Sequence, residues 1–356
     1  MNSKVIGEEY LPANYKFELD KTIRQIKRRN SKKVALQFPE GIIHLSTIIS
    51  DILKSNTDIE NVVILSDVVY GACCIDDISS YLIGCDLLIH YGHSCLFEIP
   101  KCLVEVVYVF VEISIDTSHC VDTVLNNIDF KHLSVLGTIQ YNSAVRKIKK
   151  SLEEKLEAIG DQKGLEIPRA FPLSTGEVLG CTSPKIRTNN VLFVSEGRFH
   201  LESLMINNPH KNYFRYCPST KILTREEHDY KSFLEFRNQK KLEALKCTSF
   251  LVVFGTLGRQ GGTSLLNRIT ESLRRHNRRY SVVFLSEIDE ELIRGLEDST
   301  AVIEVACPRI AIDWGTLFSH PLITPFEYFM LESPIETYPM DYYAKKEEKQ
   351  PWQMLH

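Results

Sequence analysis

"SFLVVFGTLGRQGG", residues Ser249–Gly262, runs from an unbroken apolar stretch straight into a glycine-rich turn. The same grammar occurs twice more, in "KKVALQFPEGI" (Lys32–Ile42) and "HLSVLGTIQY" (His132–Tyr141), and each of the three reads as the first strand of a unit. Short apolar runs follow each opening, among them "NVVILSDVVYG", "DLLIHYG", "NNVLFVSEG", "YSVVFLSEI" and "TAVIEVACP". Between them lie "HLSTIISDILKSN", "SAVRKIKKSLEEKLEAIG" and "TSLLNRITESLRRHN", whose apolar residues recur every three or four positions as on one face of a helix. Near-continuous Val/Ile/Leu strands alternating with such helices predict parallel sheets covered on both faces. The expected fold is therefore α/β in three repeated units, each a small, mainly parallel sheet flanked by helices. The boundaries fall at 1–129, 130–246 and 247–356. The charged segment Arg225–Lys246, which closes the second unit, reads as a solvated surface helix.

A chain of 356 residues with 44% apolar composition can build a sizeable core. Its net charge of −4 lacks the basic excess needed to hold nucleic acid directly. The opening "MNSKVIGEEYLPANYKFELDK" has no apolar core of a secretory signal, so a cytoplasmic location is expected. "CLVEVVYVFVEISI" (Cys102–Ile115) is interrupted by Glu105 and Glu112 and is too short for a membrane span, so it reads as a buried strand with its flanks.

Ten cysteines in a reducing compartment are not a disulfide framework. Most fill core positions, but three follow apolar runs in turn-like contexts: Cys73 in "VVYGACCIDD", Cys181 in "STGEVLGCTSP" and Cys307 in "VIEVACPRIAIDWG". One falls in each unit, far from the local pairs of a zinc ribbon. Units packed about a common centre would bring three thiols together, one short of the four that fill an electron-transfer iron–sulfur cube. Cys74 beside Cys73, and Cys95 at the end of the third strand of its unit, leave the choice of thiol open at this level. A rival zinc site combines His90, His93 and Cys95 with Cys73 or Cys74. His90 and His93 point to opposite faces of a regular strand, so they converge only if Gly92 bends the chain. "GTLGRQGG" (Gly255–Gly262) resembles a phosphate-cradling turn without the spacing of either standard motif, and its amides with Arg259 suit a carboxylate or ribose. Arg309 is a second guanidinium suited to a carboxylate.

"SDVVYGACCIDD", "LLIHYGHSCL", "VLGTIQY", "LGCTSP", "FGTLGRQGG", "VACPRIAIDWG", "PLITPFE" and "YPMDYYA" resemble, in order, the motifs of the diphthamide synthase family. The likeness runs from "LPANYKFEL" to the "PW" near the end. It implies three similar domains in pseudo-threefold arrangement, each giving one cysteine to a central 4Fe-4S cluster, and it selects Cys73, Cys181 and Cys307 over Cys74 and Cys95. It further implies S-adenosyl-L-methionine as cofactor, with transfer of its 3-amino-3-carboxypropyl group to C2 of a histidine imidazole on translation elongation factor 2. Arg309 is then expected to act on the methionine carboxylate, with Gln140, Gly258, Arg259, Gln260 and Asp313 about the cofactor. The implied partners are a second diphthamide synthase subunit in a heterodimer and an electron donor protein. The alternative is a non-catalytic scaffold subunit of the same complex, its cysteines serving only the core.

Overall fold

The computed structural model describes residues 5–66, 71–158, 160, 164–345 and 350–354. Residues 67–70 of the first cysteine motif, and part of the closing segment after Lys345, lie outside them. The strands in chain order are β1 (Tyr15–Lys16), β2 (Lys33–Gln37), β3 (Asn61–Leu65), β4 (Leu87–Tyr91), β5 (Glu105–Val109), β6 (Glu112–Ile113), β7 (His132–Gly137), β8 (Gly164–Glu166), β9 (Asn190–Val194), β10 (Asn212–Cys217), β11 (Ile222–Glu226), β12 (Ser249–Gly255), β13 (Arg279–Leu285), β14 (Thr300–Val305) and β15 (Leu322–Ile323).

Among the described residues they form a small β1–β6 ribbon and three larger sheets, ordered β3-β2-β4-β5, β8-β7-β9-β10-β11 and β13-β12-β14-β15. Each larger sheet draws on one contiguous stretch of chain and places its second strand at the edge, then its first, third and fourth. All pairings within the three sheets are parallel except β10 with β11. The repeat read from the sequence is thus a repeat of strand order. The predicted helices form at Ser46–Asn56, Asn142–Ala158 and Thr263–Arg275.

The unbroken apolar strands follow from burial on both faces. In β2, Val34 and Leu36 enter one core while Ala35 enters the core on the opposite face. In β9, Leu192 and Val194 alternate with Val191 and Phe193, and in β12, Phe250 and Val252 alternate with Leu251 and Val253. One of these cores crosses between sheets: Ala72 and Leu96 from the first stretch and Leu179 and Cys181 from the second join Val252, Ile303 and Val305 of the third.

The helix Tyr230–Lys246 departs from its solvated reading, because Arg237 and Lys241 point inward. Arg237 is fully buried and grips Glu327 in a fork, Nε to Oε1 and Nη2 to Oε2, both at 2.6 Å. Its remaining donors reach the carbonyls of Ala311 at 2.7 Å and Leu322 at 3.0 Å. Tyr338 also donates to Glu327, at 2.9 Å. A strongly charged helix hid this because one inward arginine, matched by a carboxylate 90 residues away, has no local sequence signature.

Glu327→Ala would leave the guanidinium buried without its counter-ion, at a cost of about 3–5 kcal/mol. Urea unfolding monitored by circular dichroism should show a correspondingly lower midpoint, whereas an unchanged midpoint would mean that water reaches Arg237.

Candidate functional site

Beyond the edge strand β3, Ala72–Cys74 forms a single 3-10 turn, closed by the Cys74 amide donating to the Gly71 carbonyl at 2.9 Å. The turn is gripped from two sides. Gln37 at the end of β2 donates from Nε2 to the Cys74 carbonyl at 2.8 Å and accepts from the Asp76 amide at 3.2 Å. From the third sheet, the Arg259 amide donates to the Cys73 carbonyl at 2.8 Å, and the Arg259 guanidinium forks onto Asp77 at 2.8 and 2.7 Å. Gly258 adopts φ +56°, and a Cβ there would come within 2.5 Å of the Cys74 backbone. This glycine is required both for its left-handed conformation and for the close approach.

Cys181 lies in the long connection from β8 to β9, held against the C-terminal end of β7 by the Gly137 amide on the Gly176 carbonyl at 3.0 Å. The closing segment clasps it from outside. The Ser183 amide donates to the Met340 carbonyl at 2.8 Å, and the Tyr343 amide donates to Thr182 Oγ1 at 3.1 Å. Cys307 follows β14 directly and opens the short helix Arg309–Trp314.

These three thiols, one from each larger sheet, line a single cleft whose walls include Leu96, Leu179, Phe199, His200, Gln260 and Arg309. All three are free. Burial pushes the Cys181 thiol up to about 11, and the Cys307 thiol rises through burial and the nearby Cys181 sulfur. Cys73 rises well above the ordinary thiol range, first through its hydrogen bond with Cys74 and then through burial. A metal held by these thiols would displace their protons.

The sequence-expected residues divide into two shells of position. Gln260 and Arg309 reach the cleft with the three cysteines. Gln140 instead spans the first two sheets, donating to the Gly92 carbonyl at 2.6 Å. Gly258 and Arg259 support the Cys73 turn from behind. Asp313 holds Arg309 Nε at 2.8 and 2.9 Å, and burial raises its carboxyl despite that partner. The Arg309 guanidinium also donates to Glu202 at 2.6 Å and to the carbonyls of Gly180 and Phe199 at 3.2 and 2.9 Å, with the Phe199 ring 4.1 Å away. Two internal carboxylates thus already neutralise it. The amides of "GTLGRQGG" are largely committed too. Those of Thr256, Arg259, Gln260 and Gly261 donate to Leu285, Cys73, Leu257 and Gly255, so the turn is a docking element rather than an open anion cradle.

Sequence reasoning missed Leu96, Leu179, Phe199, His200 and Tyr343. Tyr343 is buried near all three thiols and donates to the Gln260 carbonyl at 3.3 Å. Its only signal was membership of "YPMDYYA", whereas His200 and Phe199 stand in a segment with no motif at all.

Gly92 does bend the chain, with φ +79°, and it brings the His90 and His93 rings to 5.3 Å. His90 Nδ1 meets Gln37 Oε1 at 2.7 Å, and burial drives the His93 imidazole down to about 4. Cys95 contacts the Phe97 carbonyl at 3.2 Å and does not line the cleft. Among the described residues no three His, Cys, Asp or Glu side chains have the geometry to hold a single metal ion, which removes the zinc arrangement. An iron–sulfur cube poses a different demand, since each thiolate binds a different iron. Three free thiols on an apolar-walled cleft, with no carboxylate among its described lining residues, are a donor set that suits it.

Residues 38–343 match the family described as "Putative diphthamide synthesis protein". The chain is 41% identical over 340 residues to 2-(3-amino-3-carboxypropyl)histidine synthase subunit 1 of Encephalitozoon cuniculi, covering 95% of this chain and 93% of that protein. It is 40% identical over 362 residues to the protein of the same name in Dictyostelium discoideum, covering 97% and 75%. Among solved structures it resembles that of Dph2 from Pyrococcus horikoshii with a 4Fe-4S cluster, with a TM-score of 0.76 and 25% identity over 94% of this chain and 96% of that one.

Gly258→Ala forces both a left-handed alanine and a collision with the Cys74 backbone, a strain of about 1–3 kcal/mol. Thermal unfolding should show that loss, while Gly295→Ala, whose Cβ would meet only the Leu292 carbonyl at an ordinary 3.8 Å, should stay close to wild type. Equal behaviour of the two variants would contradict the docking described here.

Proposed function

This chain belongs to the diphthamide synthesis protein family, and from that premise we propose that it is the cluster-holding subunit of a 2-(3-amino-3-carboxypropyl)histidine synthase. It transfers the 3-amino-3-carboxypropyl group of S-adenosyl-L-methionine to C2 of a histidine imidazole on translation elongation factor 2, the first step of diphthamide biosynthesis. The observation that carries the reading is the meeting of Cys73, Cys181 and Cys307 in one cleft. The units 1–129, 130–246 and 247–356 are then three domains in pseudo-threefold arrangement, each offering one thiolate to a 4Fe-4S cluster. Their common strand order supports that division.

Cys73, Cys181 and Cys307 would hold the cluster, which when reduced would supply the one electron needed to cleave the bond between sulfur and Cγ of the methionine moiety. The protein's own contribution is orientation and exclusion of water. Leu96, Leu179 and Phe199 form an apolar wall beside the thiols. Arg309, held rigid by Asp313 and Glu202, aims what remains of its donor capacity at the carboxylate of the cofactor. Because two carboxylates already balance its charge, it acts through direction more than through net charge. Gln260 lines the same cleft and offers a polar side chain to the amino acid moiety, while Gln140, Gly258 and Arg259 fix the turns behind it.

The designation of its relatives as subunit 1 supports a second subunit as partner, completing a heterodimer. An electron donor protein is needed to reduce the cluster. No helix among the described residues is long and apolar enough to cross a membrane, in keeping with a cytoplasmic enzyme acting on a translation factor.

Anaerobic reconstitution with iron and sulfide should give the wild-type chain and Cys74→Ala a broad absorption in the blue visible. Cys73→Ala, Cys181→Ala and Cys307→Ala should lose most of that absorption and reduce product formation to background. No chromophore in any variant would instead favour a scaffold whose cysteines are core residues.

A further inference from the structure

Two of the three cleft sulfurs have a hydrogen-bond donor beside them. Cys307 receives the backbone amide of Arg309. Cys181 receives the hydroxyl of Thr182, Oγ1 to Sγ 3.7 Å. Cys73 differs, because its hydrogen bond with Cys74 raises its thiol, as when Cys73 itself donates. The Thr182 hydroxyl is a side chain that the transfer reaction does not itself require.

The hydroxyl is set from outside in a way that fixes its direction. The Tyr343 amide donates to Thr182 Oγ1 at 3.1 Å, which occupies an acceptor position of the hydroxyl and leaves its proton for the sulfur. Cys74, by contrast, is an acceptor, since Gln260 Nε2 donates to its Sγ at 3.3 Å. It is buried and does not line the cleft.

We propose that Thr182 is a positioning residue that sets the reduction potential of the cluster by donating a hydrogen bond to the sulfur of Cys181. The proposal rests on the cluster reading above. Reduction adds one negative charge to the cluster and its thiolates, and a donor aimed at a sulfur favours the more negative state, so the hydroxyl raises the potential.

The test uses the full-length chain reconstituted anaerobically, with spectroelectrochemical titration of the cluster at matched iron content. Thr182→Val should lower the midpoint potential and cut the reduced-to-oxidised ratio at a fixed applied potential about threefold, equivalent to ~28 mV for a one-electron couple. Thr182→Ser keeps the hydroxyl donor and should titrate close to wild type. A Thr182→Val midpoint that coincides with wild type would overturn the proposal. So would a Thr182→Ser variant that shifts as far as the valine variant, since the donor would then not be responsible. A wild-type chain that takes up no iron would overturn the functional reading itself.

Discussion

The convergence of the site depends on a backbone-to-backbone contact between two sheets. Gly258 of the turn after β12 sits so close to the Cys74 backbone that no side chain fits between them, and the Arg259 amide closes on the Cys73 carbonyl at 2.8 Å. A side-chain contact could rotate away without moving either strand, but this one cannot. The fork from Arg259 to the buried Asp77 adds charge and direction to the same junction. Position is thereby passed from the end of β12 to a thiol that belongs, by sequence, to a different sheet.

The other two thiols are tied into the same frame by longer side chains. Arg309, two residues after Cys307, reaches across to the Gly180 carbonyl next to Cys181 and to Glu202 beyond it. Arg237 anchors the helix that follows Cys307 through the Ala311 carbonyl and holds Glu327 at the same time. Such buried pairs contribute little net stability, because desolvation offsets most of their attraction. What they add is geometry, since an arginine fork satisfied on every side allows only one arrangement of the elements it joins.

This division explains what the sequence could and could not disclose. The strands of the three sheets were legible because burial on both faces demands unbroken apolar runs, as in "SFLVVFG", and the helices because their buried residues recur at helical spacing. The three cysteine contexts were legible as turns after strands. Their meeting was expected from the family resemblance more than from the residues alone, because it depends on contacts such as Arg259 with Asp77, 182 residues apart. Charge misled in the same way. Arg309 and Arg259 look from the sequence like cations awaiting an anionic ligand, and each has internal carboxylates. The arginine of Tyr230–Lys246 looks solvated and lies at the bottom of a core. The bend at Gly92, which sets His90 against His93, could be named as a condition but not decided.

On the proposed reading, the contacts that join the three turns would bear on cluster binding as well. In small metal-dependent folds the ligands are disordered without metal, and most of the binding free energy goes into ordering them. In this chain the turns bearing the thiols are tied to one another by contacts such as Arg259 with Asp77 and Arg309 with the Gly180 carbonyl. Thiolates in an apolar cleft would concentrate negative charge, and a donor such as the Thr182 hydroxyl beside Cys181 would offset it at the atom where it accumulates without introducing a cation. The frame that brings the thiols together would then aim that donor as well.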